Sequence, residues 1–268
     1  MKIIKKLLLG LLVFIFMFTS KIIAQDEVKK EEFKPVYLAI ATGHWSSDSD
    51  VDFSDWLETE KEYFEKVTMK NDLIIGSGYY IHYFTPDNSE ILFASVYKNW
   101  EDMEKANDVT TKLIEEGWQN KEERDAFFKK QSSYYSPMHS DEIYTSLSFT
   151  KPLKTDSKEP LLFYVKKNIL GEGGAGFKEY FENVTMKNSF IKGYYSHRHS
   201  WGSNSRDAIE VFVFDNFTDI EKSFKENIKL SDEHWPDEAK RKEFFKEYGK
   251  IFAGHGDYIY HNVPELAK

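Results

Sequence analysis

Two histidines and a glutamate in the second half of the chain have the types and spacing that could bind a metal ion. His197 and His199 alternate in the segment GYYSHRHSW, and Glu210 follows in DAIEVFVF. If the turn between the two segments places Ser200 opposite Asp207, Glu210 lies across the hairpin from His197, on the same sheet face. Two imidazoles and a carboxylate suit a divalent transition metal. His197, His199 and Glu210 therefore form the predicted metal site.

The aliphatic residues that alternate with Glu210 indicate which way this face points. Ile209, Val211 and Val213 are expected to meet helices, which leaves Glu210 and the histidines to face the interior of the protein. One histidine could instead ligate a haem iron there. The residues predicted to line an interior ligand cavity are Tyr80, His82, Tyr195, His197 and Phe212.

Simpler interpretations of the same residues stay open. A His-x-His pair beside a hairpin turn can be a solvated strand edge, and Glu210 can form an ion pair with His197. The segment 201–206 reads as an exposed turn, which would leave His199 wet. The cofactor is therefore undecided between haem, a divalent metal and none.

The first half of the chain carries a related hairpin with different chemistry. In the expected register, Phe84 takes the place of His199, and Phe93, opposite His82, takes the place of Glu210. The hairpins are comparable because the chain is duplicated. EYFEKVTMKN at 62–71 returns as EYFENVTMKN at 179–188, and the similarity continues through Trp118 and Trp235 to HSDEIY and HGDYIY near the end of each copy.

Each copy reads as strand, helix, strand, strand, helices, strand. This is the ferredoxin-like βαββαβ order, in which helices cover one face of an antiparallel sheet and leave the other face in need of a partner. We expect an α+β protein in which two such repeats pack sheet to sheet as a pseudo-dimeric α+β barrel. The predicted divisions are an N-terminal segment 25–35, repeat 1 at 36–150, a linker 151–160, repeat 2 at 161–263 and a tail 264–268.

With this duplication and element order, the chain resembles the dimeric α+β barrel superfamily of antibiotic-biosynthesis monooxygenases, NIPSNAP-like proteins and chlorite dismutase-like haem proteins. The resemblance rests on architecture across nearly the whole chain. No catalytic signature of one branch is present, so no family residue is carried over, and a shared fold is weak evidence for a shared function.

The N-terminus predicts export. Lys2, Lys5 and Lys6 precede an apolar stretch at 7–18, and Ala24 offers a cleavage site, so residues 1–24 read as a signal peptide that leaves no stable membrane anchor. The net charge of the chain is −9, and residues 1–24 contain four lysines and no acidic residue, so cleavage leaves −13. Such a charge argues against nucleic acid as a partner. There is no cysteine, which excludes disulfides.

Three classes of function follow. The first is an exported periplasmic or extracellular protein that binds a small apolar or haem-like ligand between its repeats. The second is a monooxygenase-like oxidoreductase that uses His197, His199 and Glu210. The third is a structural or interaction protein whose interior is filled by its own side chains. The protein is expected to be a monomer with pseudo-two-fold symmetry or a homodimer, and ligand binding is the favoured function.

Overall fold

The computed structural model of this chain describes residues 33–47, 52–154 and 158–268. Residues Pro35–Lys268 form one compact unit. The predicted signal peptide at 1–24 and most of the segment 25–35 lie outside the described residues, as does part of the predicted linker, so those predictions stay predictions.

The first half contains four strands and three α-helices. In chain order they are β1 Tyr37–His44, α1 Phe53–Lys66, β2 Gly76–Phe84, β3 Glu90–Tyr97, α2 Trp100–Gly117, α3 Lys121–Ser133 and β4 Ser140–Lys151. A short 3₁₀ turn, Thr68–Lys70, follows α1.

The second half repeats this order with a shortened first helix. Its elements are β5 Leu162–Leu170, α4 Phe177–Tyr180, which continues as a π-helical turn over Phe181–Thr185, β6 Gly193–Trp201, β7 Asp207–Phe214, α5 Phe217–His234, α6 Glu238–Tyr248 and β8 Phe252–Asn262. A 3₁₀ turn at Pro264–Leu266 follows β8.

All eight strands form one closed antiparallel barrel in the order β1-β3-β2-β8-β5-β7-β6-β4. Each half contributes a block of four neighbouring strands, and the blocks join through the β2–β8 and β4–β6 pairings. The expected α+β barrel is confirmed. Its two blocks are connected by hydrogen bonds at both edges, so they form a continuous wall, and the barrel closes within one chain.

An asparagine caps the N-terminus of the long helix in each half. Asn99 caps α2 by accepting a hydrogen bond from the Asp102 backbone N–H at 2.8 Å, and Asn216 caps α5 by accepting one from Asp219 at 3.1 Å. Each cap satisfies a backbone donor that has no partner within the helix.

The asparagine that ends each copy of the repeated segment is fully buried. The Asn71 side chain donates to the Ala106 carbonyl at 2.9 Å, and the Asn188 side chain donates to the Ser223 carbonyl at the same distance. Each amide therefore joins the segment after the first helix of its half to the long helix. Both copies of the repeated segment keep this asparagine, and a buried amide needs hydrogen-bond partners.

The helices cover the outer face of the barrel with two hydrophobic cores. One is built around Trp56, Phe64 and Ile91 in the first half, and the other around Phe181, Tyr194 and Phe214 in the second. None of the helices in the described part of the chain is long and apolar enough to cross a membrane.

Candidate functional site

The pairing of β6 with β7 decides where the predicted metal ligands point. His197 lies opposite Ile209, and Glu210 lies opposite Ser196. This register differs by one residue from the expected one. Because side chains alternate along a strand, a shift of one residue moves every side chain of β7 to the other face. The predicted site of His197, His199 and Glu210 is therefore not assembled.

Glu210 belongs to the helix-covered side of the sheet. It is buried, and it accepts hydrogen bonds from the Tyr194 hydroxyl at 2.7 Å and from the Asn168 amide at 2.9 Å. Phe212, predicted to line the cavity, lies on the same outer side and packs edge-on against Tyr194 at 4.9 Å between ring centroids. Glu210 and Phe212 thus stabilise the second core and do not reach the barrel interior.

The first-half hairpin also has a different register from the expected one, in which Phe93 would lie opposite His82. Phe93 lies opposite Tyr79 and packs with it beneath the helices, with ring centroids 5.0 Å apart. Tyr79 pairs with Phe93 in the first hairpin, and Tyr194 pairs with Phe212 in the second. The counterpart of Phe93 is therefore Phe212, and the counterpart of Glu210 is Ile91. The proposed exchange of Phe93 for Glu210 was wrong.

The interior of the barrel contains a cavity of about 390 Å³. Its wall is mostly aliphatic, with residues from β1, β3, β5 and β7, and polar groups reach it from β2, β6 and β8. Small-molecule pockets usually fall between about 300 and 1,000 Å³ and combine apolar walls with a few polar groups. The residues that define its wall include Ile40, Leu92, Phe163, Val165, Ile209 and Val211.

His197 is the most unusual polar residue in this wall. It is only 9% exposed, and its Nδ1 atom is buried without a hydrogen-bond partner among the described residues. Burial lowers the pKa of His197 to about 4, so the imidazole is neutral at pH 7. A buried polar atom without a partner is costly and calls for an explanation, such as a ligand that completes its hydrogen bonding.

Tyr80 and Tyr195 line the same cavity. Burial, together with the neighbouring Tyr195, raises the pKa of Tyr80 to about 12, so its hydroxyl stays protonated and can donate. The Tyr80 hydroxyl has no hydrogen-bond partner in the described chain, whereas Tyr195 accepts from the Leu153 backbone N–H at 3.0 Å. Gly78 leaves room for the Tyr80 ring, since a Cβ there would lie 2.9 Å from the hydroxyl.

The other two predicted histidines lie apart from this cavity. His82 is close to the end of β2, where Nδ1 is 2.8 Å from the Thr85 hydroxyl, and it does not line the cavity wall. His199 pairs with Tyr144 across the β4–β6 junction, and its Nε2 atom is buried without a partner. In the described part of the chain no three His, Asp or Glu side chains are grouped closely enough to hold a metal ion.

A charged cluster occupies the opposite end of the barrel. Lys167 forms ion pairs with Glu142 at 2.9 Å and with Asp207 at 3.1 Å, and Tyr260 donates to Glu90. Ile40, Leu92, Val165 and Ile209 lie between the cavity and this cluster, since they border both spaces. The interior is thus apolar at one end and charged at the other.

Haem is one of the cofactors that the sequence leaves open, and the residues around the cavity do not fit it. A neutral imidazole such as that of His197 can ligate iron, but haem also carries two carboxylates. The cation in the cavity wall is Lys268, whose Nζ already donates to the carbonyls of Thr68 at 3.0 Å and Asn71 at 2.8 Å. Among the described residues, the wall therefore offers no free positive charge to pair with the carboxylates.

Sequence reasoning missed most of the cavity wall. Ile209 and Val211 were assigned to the helix side, and Leu92, Phe163 and Val165 were not considered. The sequence feature that could have shown this is the set of Tyr194, Glu210 and Phe212, which contact one another beneath the helices: Tyr194 donates a hydrogen bond to Glu210 and packs against Phe212. That grouping needed the correct register to be seen.

Together, the closed barrel, the helices outside it and the apolar cavity define an α+β barrel with an internal small-molecule-sized pocket. No protein-family model matches the chain, and no curated protein matches it. Solved structures do match. A proposed monooxygenase of Fusobacterium nucleatum subsp. nucleatum aligns with a TM-score of 0.55 at 9% identity, over 87% of this chain and 94% of that one.

A chlorite dismutase variant from Candidatus Nitrospira defluvii aligns with a TM-score of 0.50 at 11% identity, over 86% of this chain and 93% of that one. At these identities the likeness shows the fold alone. The chain has the fold of the dimeric α+β barrel superfamily, which confirms the resemblance drawn from its duplication and element order.

Proposed function

We propose that this protein binds a small, uncharged and largely apolar molecule inside the barrel. His197 and Tyr80 supply its polar contacts, with the Tyr80 hydroxyl as a donor and the imidazole as a donor or acceptor. The aliphatic wall formed by Leu92, Val165 and Val211 contacts the rest of the ligand.

The observation that carries this proposal is the unpartnered, buried Nδ1 of His197 beside an apolar cavity of about 390 Å³. A purely structural barrel gains nothing from such a group, because an apolar side chain of similar size avoids the desolvation cost. A ligand with one hydrogen-bonding group would satisfy the imidazole and fill the cavity. Both features then have a single explanation.

The alternatives have less support. The oxidoreductase alternative relied on His197, His199 and Glu210 acting together, and Glu210 is on the outer face of the sheet. Its remaining support is a fold shared with a proposed monooxygenase at 9% identity. An interaction protein filled by its own side chains does not account for the cavity.

A fluorescence titration tests the proposal. The uncharged probe N-phenyl-1-naphthylamine carries one N–H group on an apolar body and brightens when it leaves water. We expect saturable one-to-one binding to the protein. Val211→Trp should weaken binding by about tenfold or more, because the indole fills the cavity, and Ala94→Phe should do so from β3. Ile169→Trp, at the exposed end of β5 and outside the cavity lining, is the matched control and should bind like wild type.

Each outcome decides for or against the proposal. Equal binding by wild type, Val211→Trp and Ala94→Phe, with circular dichroism showing both variants folded, would place the probe elsewhere and overturn it. No saturable binding by wild type would also count against it. Hemin is a second probe, and a shift of its absorption band that disappears in His197→Leu would show that haem is the ligand instead.

We also propose that the two halves are ferredoxin-like repeats joined as a monomer. The strand orders β4-β1-β3-β2 and β8-β5-β7-β6 are equivalent, which supports a duplication at the level of structure. The barrel closes without a second chain. Light scattering on the purified protein should therefore give the mass of one chain, and a stable dimer would show that a further surface is used.

Export is a proposal that rests on residues 1–24 alone. Intact-mass spectrometry of the protein recovered from the outside of the cytoplasmic membrane should show a chain that begins at Gln25. An intact N-terminus on cytoplasmic protein would contradict it.

A further inference from the structure

A second pocket lies on the outer side of the sheet in the first half, between the sheet and helices α1 and α3. It opens to solvent, and the buried carboxylate of Glu60 forms its floor. It is separate from the barrel cavity, because Tyr79 borders this pocket from the outer face of β2 whereas its neighbour Tyr80 packs against Phe163 inside the barrel. Its aromatic walls are Tyr63, Tyr79, Phe93, Phe128 and Tyr135.

The Glu60 carboxylate receives hydrogen bonds only from uncharged groups of the described chain. Tyr135 donates at 2.7 Å, Tyr79 at 3.0 Å and the Gln131 amide at 3.1 Å. Glu60 itself is only 1% exposed. These donors orient the carboxylate as an acceptor, but they bring no positive charge. A buried carboxylate is usually paired with a cation, since an unpaired buried charge is costly.

The two halves differ in the residues at this pocket. At the repeat spacing of 117 residues, Phe177 takes the place of Glu60 and Tyr248 takes the place of Gln131. Those two rings stack with centroids 6.5 Å apart and planes 6° apart, and Tyr180 packs against Tyr248 at 4.8 Å. The second half therefore has aromatic rings at the positions of Glu60 and Gln131, and its own buried carboxylate, Glu210 on β7, accepts from Tyr194, the counterpart of Tyr79.

Aromatic faces and a carboxylate select the same kind of ligand. The faces of tyrosine and phenylalanine rings attract organic cations, and this attraction is strongest where water is excluded. Glu60 would supply the opposite charge at the floor, and no cationic side chain of the described pocket lining competes for it.

We propose that the first-half pocket binds an organic cation of the quaternary or alkylated ammonium class, with Glu60 as the counter-charge and the surrounding rings as an aromatic cage. The cation would balance the buried carboxylate. The site is independent of the barrel cavity, so the protein would have two ligand sites on opposite faces of one sheet.

Isothermal titration calorimetry at constant ionic strength tests this proposal with choline and with its uncharged analogue, in which carbon replaces the quaternary nitrogen. We expect choline to bind at one saturable site, and the uncharged analogue to bind about tenfold more weakly or worse, because it has the same shape without the charge.

Two variants remove the site by different means. Glu60→Gln removes the charge and keeps an amide that can accept hydrogen bonds, so choline binding should weaken by about tenfold or more. Gln131→Tyr copies the second half and should block the pocket while the carboxylate remains. Tyr248→Gln makes the reverse change in the second half and should leave the choline affinity of the first-half site unchanged.

Three results would overturn the proposal: no saturable choline binding by wild type, equal affinity for choline and its uncharged analogue, or unchanged choline binding in folded Glu60→Gln. If Glu60→Gln does not fold, Gln131→Tyr decides, and full choline binding by that variant places the cation elsewhere. Probe binding in the barrel cavity should persist in Gln131→Tyr, so a failure of this site is distinguishable from a failure of the barrel proposal.

Discussion

Replacing His197 with a side chain that does not titrate should change how the stability of the protein depends on pH. The pKa of His197 is lowered from 6.5 to about 4 by burial. In the folded protein the imidazole stays neutral down to about pH 4, whereas in the unfolded chain it takes up a proton near pH 6.5. Between these values the unfolded state binds more protons, so falling pH favours unfolding.

The size of the effect follows from the pKa difference. Each pKa unit corresponds to about 1.4 kcal/mol, so His197 should cost the wild type about 3 kcal/mol of unfolding free energy between pH 7 and pH 4. Above pH 7 the group is neutral in both states and contributes no pH dependence. Carboxylates that titrate in the same window affect wild type and variant alike, and they cancel in the difference.

Urea unfolding at pH 7, 6, 5 and 4 measures this difference directly. His197→Leu and His197→Gln should each lose about 3 kcal/mol less than wild type over the range. At pH 7, His197→Leu should be at least as stable as wild type, because it removes a buried polar atom that has no partner. The two variants differ in packing and polarity, so agreement between their pH profiles assigns the effect to the imidazole proton.

A parallel loss of stability in wild type and in both variants would refute the reasoning. It would mean that His197 is protonated in the folded protein near its ordinary pKa, and hence that water reaches it. The apolar character of the barrel cavity would then be in doubt as well.

Two further predictions concern hydrogen bonds that recur within each half. Asn71→Ala should destabilise the protein by about 2–3 kcal/mol in urea unfolding, because it removes the hydrogen bonds of a buried amide to the Ala106 carbonyl and the Thr110 hydroxyl and leaves the Leu73 backbone N–H without its acceptor. Asn188→Ala should cost a similar amount, and a loss below about 0.5 kcal/mol in both variants would show that these buried amides are not needed. Asn216→Ala should lower the free energy of unfolding by about 1 kcal/mol, because it removes the α5 cap. Asn216→Asp keeps an acceptor at the cap and should retain most of that stability. Equal losses of stability in the two variants would contradict the capping explanation.

The architecture could be predicted from the sequence because its signals are local or repeated. The order of strands and helices could be read along each copy, and the segment that occurs at 62–71 and again at 179–188 predicted that this order occurs twice. A four-stranded sheet with helices on one face needs a partner for the other face, so two copies in one chain led directly to the barrel. Its closure by the β2–β8 and β4–β6 pairings is the observed form of that expectation.

The candidate site was predicted less well. Tyr80, Tyr195 and His197 line the barrel cavity, in which Tyr195 and His197 share a face because they are two positions apart on one strand. Their role as ligand contacts stays a prediction. Glu210 and Phe212 were placed on the wrong face, since their position depended on the turn between β6 and β7. That turn pairs Arg198 with Ala208, and the pattern of residues in the hairpin is compatible with a pairing shifted by one.

The sequence by itself determined that this chain is a duplicated α+β protein with an acidic charge and histidines on the sixth strand. Only the tertiary structure decided that His197 faces an apolar cavity, that Glu210 is held by Tyr194 outside it, and that Glu60 forms the floor of a second pocket. The physical reason is that strand alternation has a period of two. A register error of a single residue leaves every strand prediction intact and reverses every side chain, and only packing across the whole barrel selects between the two registers.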